Sequence, residues 1–268
     1  MLEANHHIAE IHPSYTDDTR QLVLDYTLQL ADSSLIMAHR LSEWCGHGPI
    51  LEQDIAMQNI ALDLLGETRS LFQYAAELEG KGRTEDDLAF LREAVEYKNL
   101  LITEQPNGDF AQTILRQFLF DTYHYHLLQQ LKTGKDQRLA AIAEKSLKEV
   151  TYHLKWSSEW VIRLGDGTDE SKRRIEKALG NLWAYTGELF TLTATEEALL
   201  DLGIVPDHSL IRQQWQDHVE RVFTEATLQV PQNVFMHQGG KTGRHTEHLG
   251  YILAELQYMQ RAYPGLEW

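Results

Sequence analysis

Four carboxylates in this sequence have the types and the spacing to hold a pair of metal ions. Asp32 and Asp63 stand 31 residues apart, and Asp121 and Glu149 stand 28 apart, so the interval nearly repeats. A helical bundle that carries a di-iron site supplies one carboxylate from each of two helices and a Glu-x-x-His pair from each of the other two. The i,i+3 step turns both members of a pair toward the core. Hard oxygen donors hold the charge of the ion, and imidazole fills the outer positions.

The imidazoles are where this pattern fails. Three residues after Asp63 stands Gly66, and three after Glu149 stands Tyr152, so neither acid-histidine pair is intact. Glu67 and His153 follow their acids by four residues and keep roughly the same helix face. Three of the four acids are aspartates, shorter in reach than glutamate by about 1.5 Å, where metal-ligand distances must hold within about 0.2 Å. Asp121 and His124 form a further i,i+3 pair, on a helix where the usual pattern has only a carboxylate. Two chemical readings stay open. One is a vestigial site that binds no metal, marked by Asp32, Asp63, Gly66, Asp121, Glu149 and Tyr152, with Glu67 and His153 nearby. The other is an irregular iron or manganese shell of Asp32, Asp63, Glu67, Asp121, Glu149 and His153 in an oxidoreductase. Against both stands the plainer reading of polar core residues held by hydrogen bonds and ion pairs.

The elements that must position these residues are helices. Leu24, Leu28, Ala31, Leu35, Ala38 and Leu41 recur at three- and four-residue steps, which predicts a helix from Asp18 to about Trp44 that ends at GHGP. A second helix is expected from about Leu51 to Leu78, stopped by GKG, and Thr84 caps a short third one with Asp87 in the capping-box place. The EQPNGD loop at 104–109 excludes regular structure. Long helices then run from Phe110 to about Lys132 and from the TGKD connection to about Leu164. Further helices are expected over Glu170 to Leu192, Glu196 to Leu202, Ser209 to Thr227 and Thr246 to Arg261, with an irregular segment at 228–245. Loops of that length are usually functional or form interfaces. The expected fold is all-α, a ferritin-like bundle of four long helices with additional C-terminal helices, in one domain over 18–268. Residues 1–17, polar and aperiodic, are expected to form a mobile N-terminal arm.

The formal charge of -16 excludes nucleic acid and anionic membrane as partners for most of the surface. One cysteine, Cys45, leaves no intrachain disulfide or multi-cysteine metal site, and no stretch has the length of a membrane span or the pattern of a signal peptide. A cytoplasmic protein is expected. Other motifs are weaker. HTEHLG at 245–250 lacks the zinc-protease spacing and suits a helix N-terminus. GGKTG at 239–243 lacks the strand and spacing of a phosphate loop, though Lys241 and Arg244 offer charge to a partner's acids or a CoA phosphate. Trp44, Trp156, Trp160 and Trp183 read as core or interface aromatics, and KRR at 172–174 as a solvated face.

Several long strings carry a more specific signal: LSEWCGHGPILEQDIAMQNIALDLLGETR at 41–69, EQPNGDFAQTI at 104–114, EKSLKEVTYHLKWSSEWVIRLGDGTDES at 144–171, LWAYTGELF at 182–190 and GGKTGRHTEHLGYILAELQYMQRAYPG at 239–265. Through them the chain resembles, from about residue 20 to its end, the ferritin-like C subunits of the phenylacetyl-CoA epoxidase multicomponent oxygenase. The resemblance implies a non-catalytic structural subunit with no cofactor of its own. It implies a homologous catalytic A subunit that carries the di-iron site, a small B subunit, and a reductase with FAD, an iron-sulfur centre and NADPH. It also implies a role in ring epoxidation during aerobic phenylacetate degradation. A stress-type ferritin-like storage protein, assembled only with itself, is the remaining contender.

Overall fold

The structure, a computed structural model, describes residues 15–266. All regular structure among them is helical. Helix α1 (Asp17–Ser42) starts where the Thr16 side chain accepts the amide of Thr19, and α2 (Leu51–Glu79) ends at Gly80, whose left-handed φ of 65° suits a residue without Cβ. A long crossover follows, carrying α3 (Glu85–Phe90), whose Thr84 and Asp87 form the expected capping box. Then come α4 (Phe110–Leu131), capped by Asp109, and α5 (Gln137–Gly165), capped by Asp136. Helices α1 and α2 pack as one hairpin and α4 and α5 as the other. Two hairpins joined by one long crossover give the ferritin-like connection.

Asp136 does more than cap α5. Its Oδ1 accepts the amide of Leu139, while Oδ2 accepts the hydroxyls of Tyr74 at 2.6 Å and Tyr15 at 2.8 Å. Residues 1–14 of the expected arm lie outside the described residues. Its last three residues do not belong to an arm: Tyr15 is tied to Asp136, Thr16 is a cap, and Asp17 is the first residue of α1.

The C-terminal part comprises α6 (Asp169–Leu182), α7 (Ala194–Asp201), α8 (His208–Glu225), α9 (Glu247–Leu256) and α10 (Tyr258–Ala262). Two expected helices are shorter than their patterns suggest. The one expected to reach Leu192 stops at Leu182 and continues as two 3-10 turns over 183–185 and 187–190. Gly187 lies there against the 228–245 segment, so closely that a Cβ would sit 2.7 Å from Met236. The last helix breaks at Gln257, which is buried and turns its side-chain amide to the carbonyls of Ala89 and Arg92 in the crossover.

The core forms two apolar clusters, one toward each end of the bundle. On α1 they divide between Ile36 and Met37, on α2 between Leu64 and Leu71, and on α5 between Val150 and Leu154. Burial of these side chains is the main drive to fold. On α2 and α5 the polar residues Glu67 and His153 fall at that division.

Candidate functional site

Helices α2 and α4 meet in the polar layer through Glu67 and His124. His124 Nε2 lies 2.9 Å from Glu67 Oε1, and the Ser34 hydroxyl of α1 donates to the same oxygen at 2.9 Å. Burial alone would raise the carboxyl pKa and lower that of the imidazole. Each is shifted the other way, because the charge of its partner and their hydrogen bond outweigh burial. Both shifts favour the charged forms, a carboxylate and an imidazolium.

One helical turn away, Asp121 is fully buried and accepts from Gln117 at 2.6 Å and from the Ser157 hydroxyl of α5 at 2.8 Å. Burial pushes its pKa up to about 6, and His153, Ser157, Gln117 and His124 only partly counter it. His153, buried on α5, places Nε2 3.0 Å from Asp63 Oδ2 on α2. Asp63 stands at the rim with 35% of its side chain exposed. Glu149 is beside it, half-buried, its carboxyl pushed up by burial and by the charge of Asp63.

The structure thus gathers Glu67, Asp121 and His153 with His124, places Asp63 and Glu149 at the edge, and separates Asp32. Asp32 is fully buried but turned toward the crossover, where Arg92 clasps both of its oxygens and the amide of Lys98 donates at 2.8 Å. The Arg92 guanidinium also lies over the rings of Tyr97 and Phe72, at 4.3 and 5.3 Å. Gly66 and Tyr152 need a correction. Gly66 is exposed, a Cβ there would meet nothing within 4 Å, and Tyr152 is 51% exposed. One residue turns a helix by about 100°, so the inward places belong to their neighbours Glu67 and His153. An imidazole at 66 or 152 would face outward. The count of missing ligands therefore cannot rest on those two positions.

A pair of irons does not fit this donor set. Both oxygens of Asp32 and both of Asp121 are taken by protein donors, and both histidines spend Nε2 on a carboxylate. Left over are the buried Glu67 Oε2 and the Nδ1 atoms of His124 and His153, with Glu149 and the second oxygen of Asp63 at the rim. A di-iron bundle needs four carboxylates and two imidazoles. Among the described residues the one group of three metal-ligating side chains within 4.8 Å of one another is His39, Glu43 and Glu255, away from this layer. There Glu43 is already held by Arg40 at 2.9 Å and Asn107 at 2.7 Å.

Sequence reasoning missed the acids of the second half. Glu188 accepts three backbone amides, from Leu101, Gly239 and Gly240, at 2.7 to 2.8 Å. The glycine-rich turn at 239–243 thus holds an internal carboxylate. Lys241, expected to be available to a partner, is buried and bonded twice to Glu196 at 2.7 and 2.8 Å, so only Arg244 stays exposed there. The motif at 245–250 is structural. His245 bridges Glu104 and the carbonyl of Tyr97, and Thr246 caps α9. The partners that fix these acids across the fold lie far away in sequence: Leu101, Gly239 and Gly240 for Glu188, Lys241 for Glu196 and Thr246 for Glu104. Trp156 and Trp183 are buried and Trp44 and Trp160 half-buried against the core, in keeping with their reading as core aromatics. Cys45 is exposed and free.

The chain matches the family described as Phenylacetic acid catabolic protein over residues 8–268. It is 49% identical over 243 residues to the C subunit of 1,2-phenylacetyl-CoA epoxidase from Escherichia coli (strain K12), a match that covers 91% of this chain and 98% of that one. No helix among the described residues is long and apolar enough to cross a membrane.

Proposed function

The chain belongs to the phenylacetic acid catabolic protein family, and from that premise we propose that it is a non-catalytic structural subunit of a phenylacetyl-CoA epoxidase. In this role it pairs with and stabilises a homologous di-iron A subunit in aerobic, cytoplasmic phenylacetate degradation. The A subunit, a small B subunit and a reductase with FAD, an iron-sulfur centre and NADPH supply the chemistry. This chain supplies a folded surface. The observation that carries the reading is the bonding of the central layer: Asp32, Asp63, Glu67 and Asp121 are engaged by Arg92, Ser34, Ser157, Gln117 and two histidines.

A second feature supports a subunit role. On α2 the side chains of Leu51, Ile55, Leu62 and Leu65 are 72%, 51%, 64% and 38% exposed. Their steps of four, seven and three residues keep them along one face, the spacing by which one helix packs on another. Apolar stripes of this kind mark contact surfaces.

The test is reconstitution. Alone, the purified chain given iron, reductant and oxygen is expected to leave phenylacetyl-CoA unchanged; co-expressed with an A subunit, it is expected to co-purify and to be required for turnover. Turnover by the chain alone overturns the proposal. So does a homo-oligomer that excludes the A subunit.

A further inference from the structure

A small space of about 20 Å³ lies between α1 and α4, beside the polar layer. Tyr26, Gln29 and Leu30 line it from α1, His124 and Leu127 from α4, and Lys241 from the C-terminal turn. Three of these residues carry a polar atom that is out of contact with solvent and has no partner: the Tyr26 hydroxyl, Gln29 Oε1 and His124 Nδ1. Their side chains are all more than nine-tenths buried. An unpaired buried polar group costs about 1–3 kcal/mol. Three around one cavity are a combination that folded proteins resolve with a bound partner.

We infer that this cavity is a binding site for one ordered water molecule, held by His124 Nδ1, Gln29 Oε1 and the Tyr26 hydroxyl. The volume fits, since a site needs roughly 10–15 Å³ on this scale to hold a water. The chemistry also balances. In the imidazolium form that pairing with Glu67 favours, His124 carries a proton on both nitrogens and Nδ1–H donates to the water oxygen. The water donates one hydrogen to Gln29 Oε1, which can only accept, and the other to the Tyr26 oxygen. Lys241 borders the same space with an ammonium that has a third proton beyond the two bonds to Glu196. The water thus joins the Glu67–His124 pair of the bundle to the Lys241–Glu196 pair of the C-terminal region. It is independent of any partner subunit.

Xenon separates a wet cavity from a dry one. Crystals of the full chain are expected to show a single density peak within hydrogen-bonding distance of all three atoms, and to admit no xenon under pressure. Xenon in the cavity, or a cavity without density, overturns the inference. In solution, oxygen-17 relaxation dispersion counts long-lived internal waters. The double variant Tyr26→Phe, Gln29→Met is expected to lose one such water relative to the parent. An unchanged count in a variant that keeps its helical circular dichroism also overturns it. Should the double variant not fold, Gln29→Met alone is expected to shift the His124 Nδ1 nitrogen-15 resonance, and no shift refutes the contact.

Discussion

Replacing Asp121 by asparagine tests whether the central layer is organised for protein or for metal. Asp121 is fully buried, with its pKa raised from 3.8 to about 6. A shift of about two units corresponds to roughly 3 kcal/mol of penalty on the ionised form. The sign follows from proton counting. Between pH 3.8 and about 6 the folded chain holds a proton that the unfolded chain has lost, so stability falls as pH rises through that window. Above it the whole penalty remains. Asparagine keeps the shape, accepts from Gln117 and donates toward the Ser157 oxygen, and it carries no charge. The variant is therefore expected to gain on the parent as pH rises, by about 1.4 kcal/mol between roughly pH 5 and pH 8. Urea unfolding of both proteins at the two pH values measures the gap. A gap that stays constant, or one that turns against the variant at high pH, refutes the reasoning. A carboxylate stabilised by a bound cation would give the second result.

Other perturbations probe the surrounding contacts. Arg92→Met leaves Asp32 charged, buried and without its partner, a loss of about 3–5 kcal/mol by urea unfolding, and the double variant with Asp32→Leu is expected to recover most of it. His124 has a raised pKa and Glu67 a lowered one. The stability from their pair is therefore complete from about pH 4.5 to 6.5, is lost as pH rises through the folded value of His124, and is lost in acid through that of Glu67. His124→Gln is expected to cost most inside that window and progressively less in alkali. Asp136→Ala removes a helix cap, about 1 kcal/mol, and leaves the buried Tyr74 hydroxyl without an acceptor, a further 1–3 kcal/mol or so, read as a lower urea midpoint. Leu62→Glu, at a largely exposed site, is expected to change stability by no more than about 0.5 kcal/mol while abolishing co-purification with the A subunit.

The helices are legible in the sequence because their signals are local. Thr84 with Asp87, Asp109 before Phe110, Asp136 before Gln137 and Gly80 after Glu79 each mark an end within a few residues of the chain. Apolar periodicity marks the buried faces of α1, α4 and α5. The site is only partly legible. Asp121, Glu67 and His153 do face the centre, but the phase on α2 and α5 differs by one residue from the ligand pattern, and that small difference moves a side chain about 100° around the helix. Asp32 is buried, as its apolar neighbours predict, yet its direction is set by Arg92, 60 residues later in a crossover without periodicity. The two helices that stop early do so because of Met236 against Gly187 and Gln257 against the crossover carbonyls. Contacts at such separation leave no mark on the neighbouring sequence.

The clasp between Arg92 and Asp32 also bears on how the chain reaches its fold. The α1–α2 hairpin needs only local contacts and an eight-residue connection, and such hairpins form early. Packed alone, it would leave Asp32, which faces the crossover, without its counter-charge until the guanidinium arrives. The crossover in turn is held down by Gln257, from the last tenth of the chain. Nascent chains released before Gln257 emerges would therefore lack the brace on Arg92. Truncations upstream of that residue are expected to populate a loosened first hairpin, detectable as early proteolysis between α2 and α4.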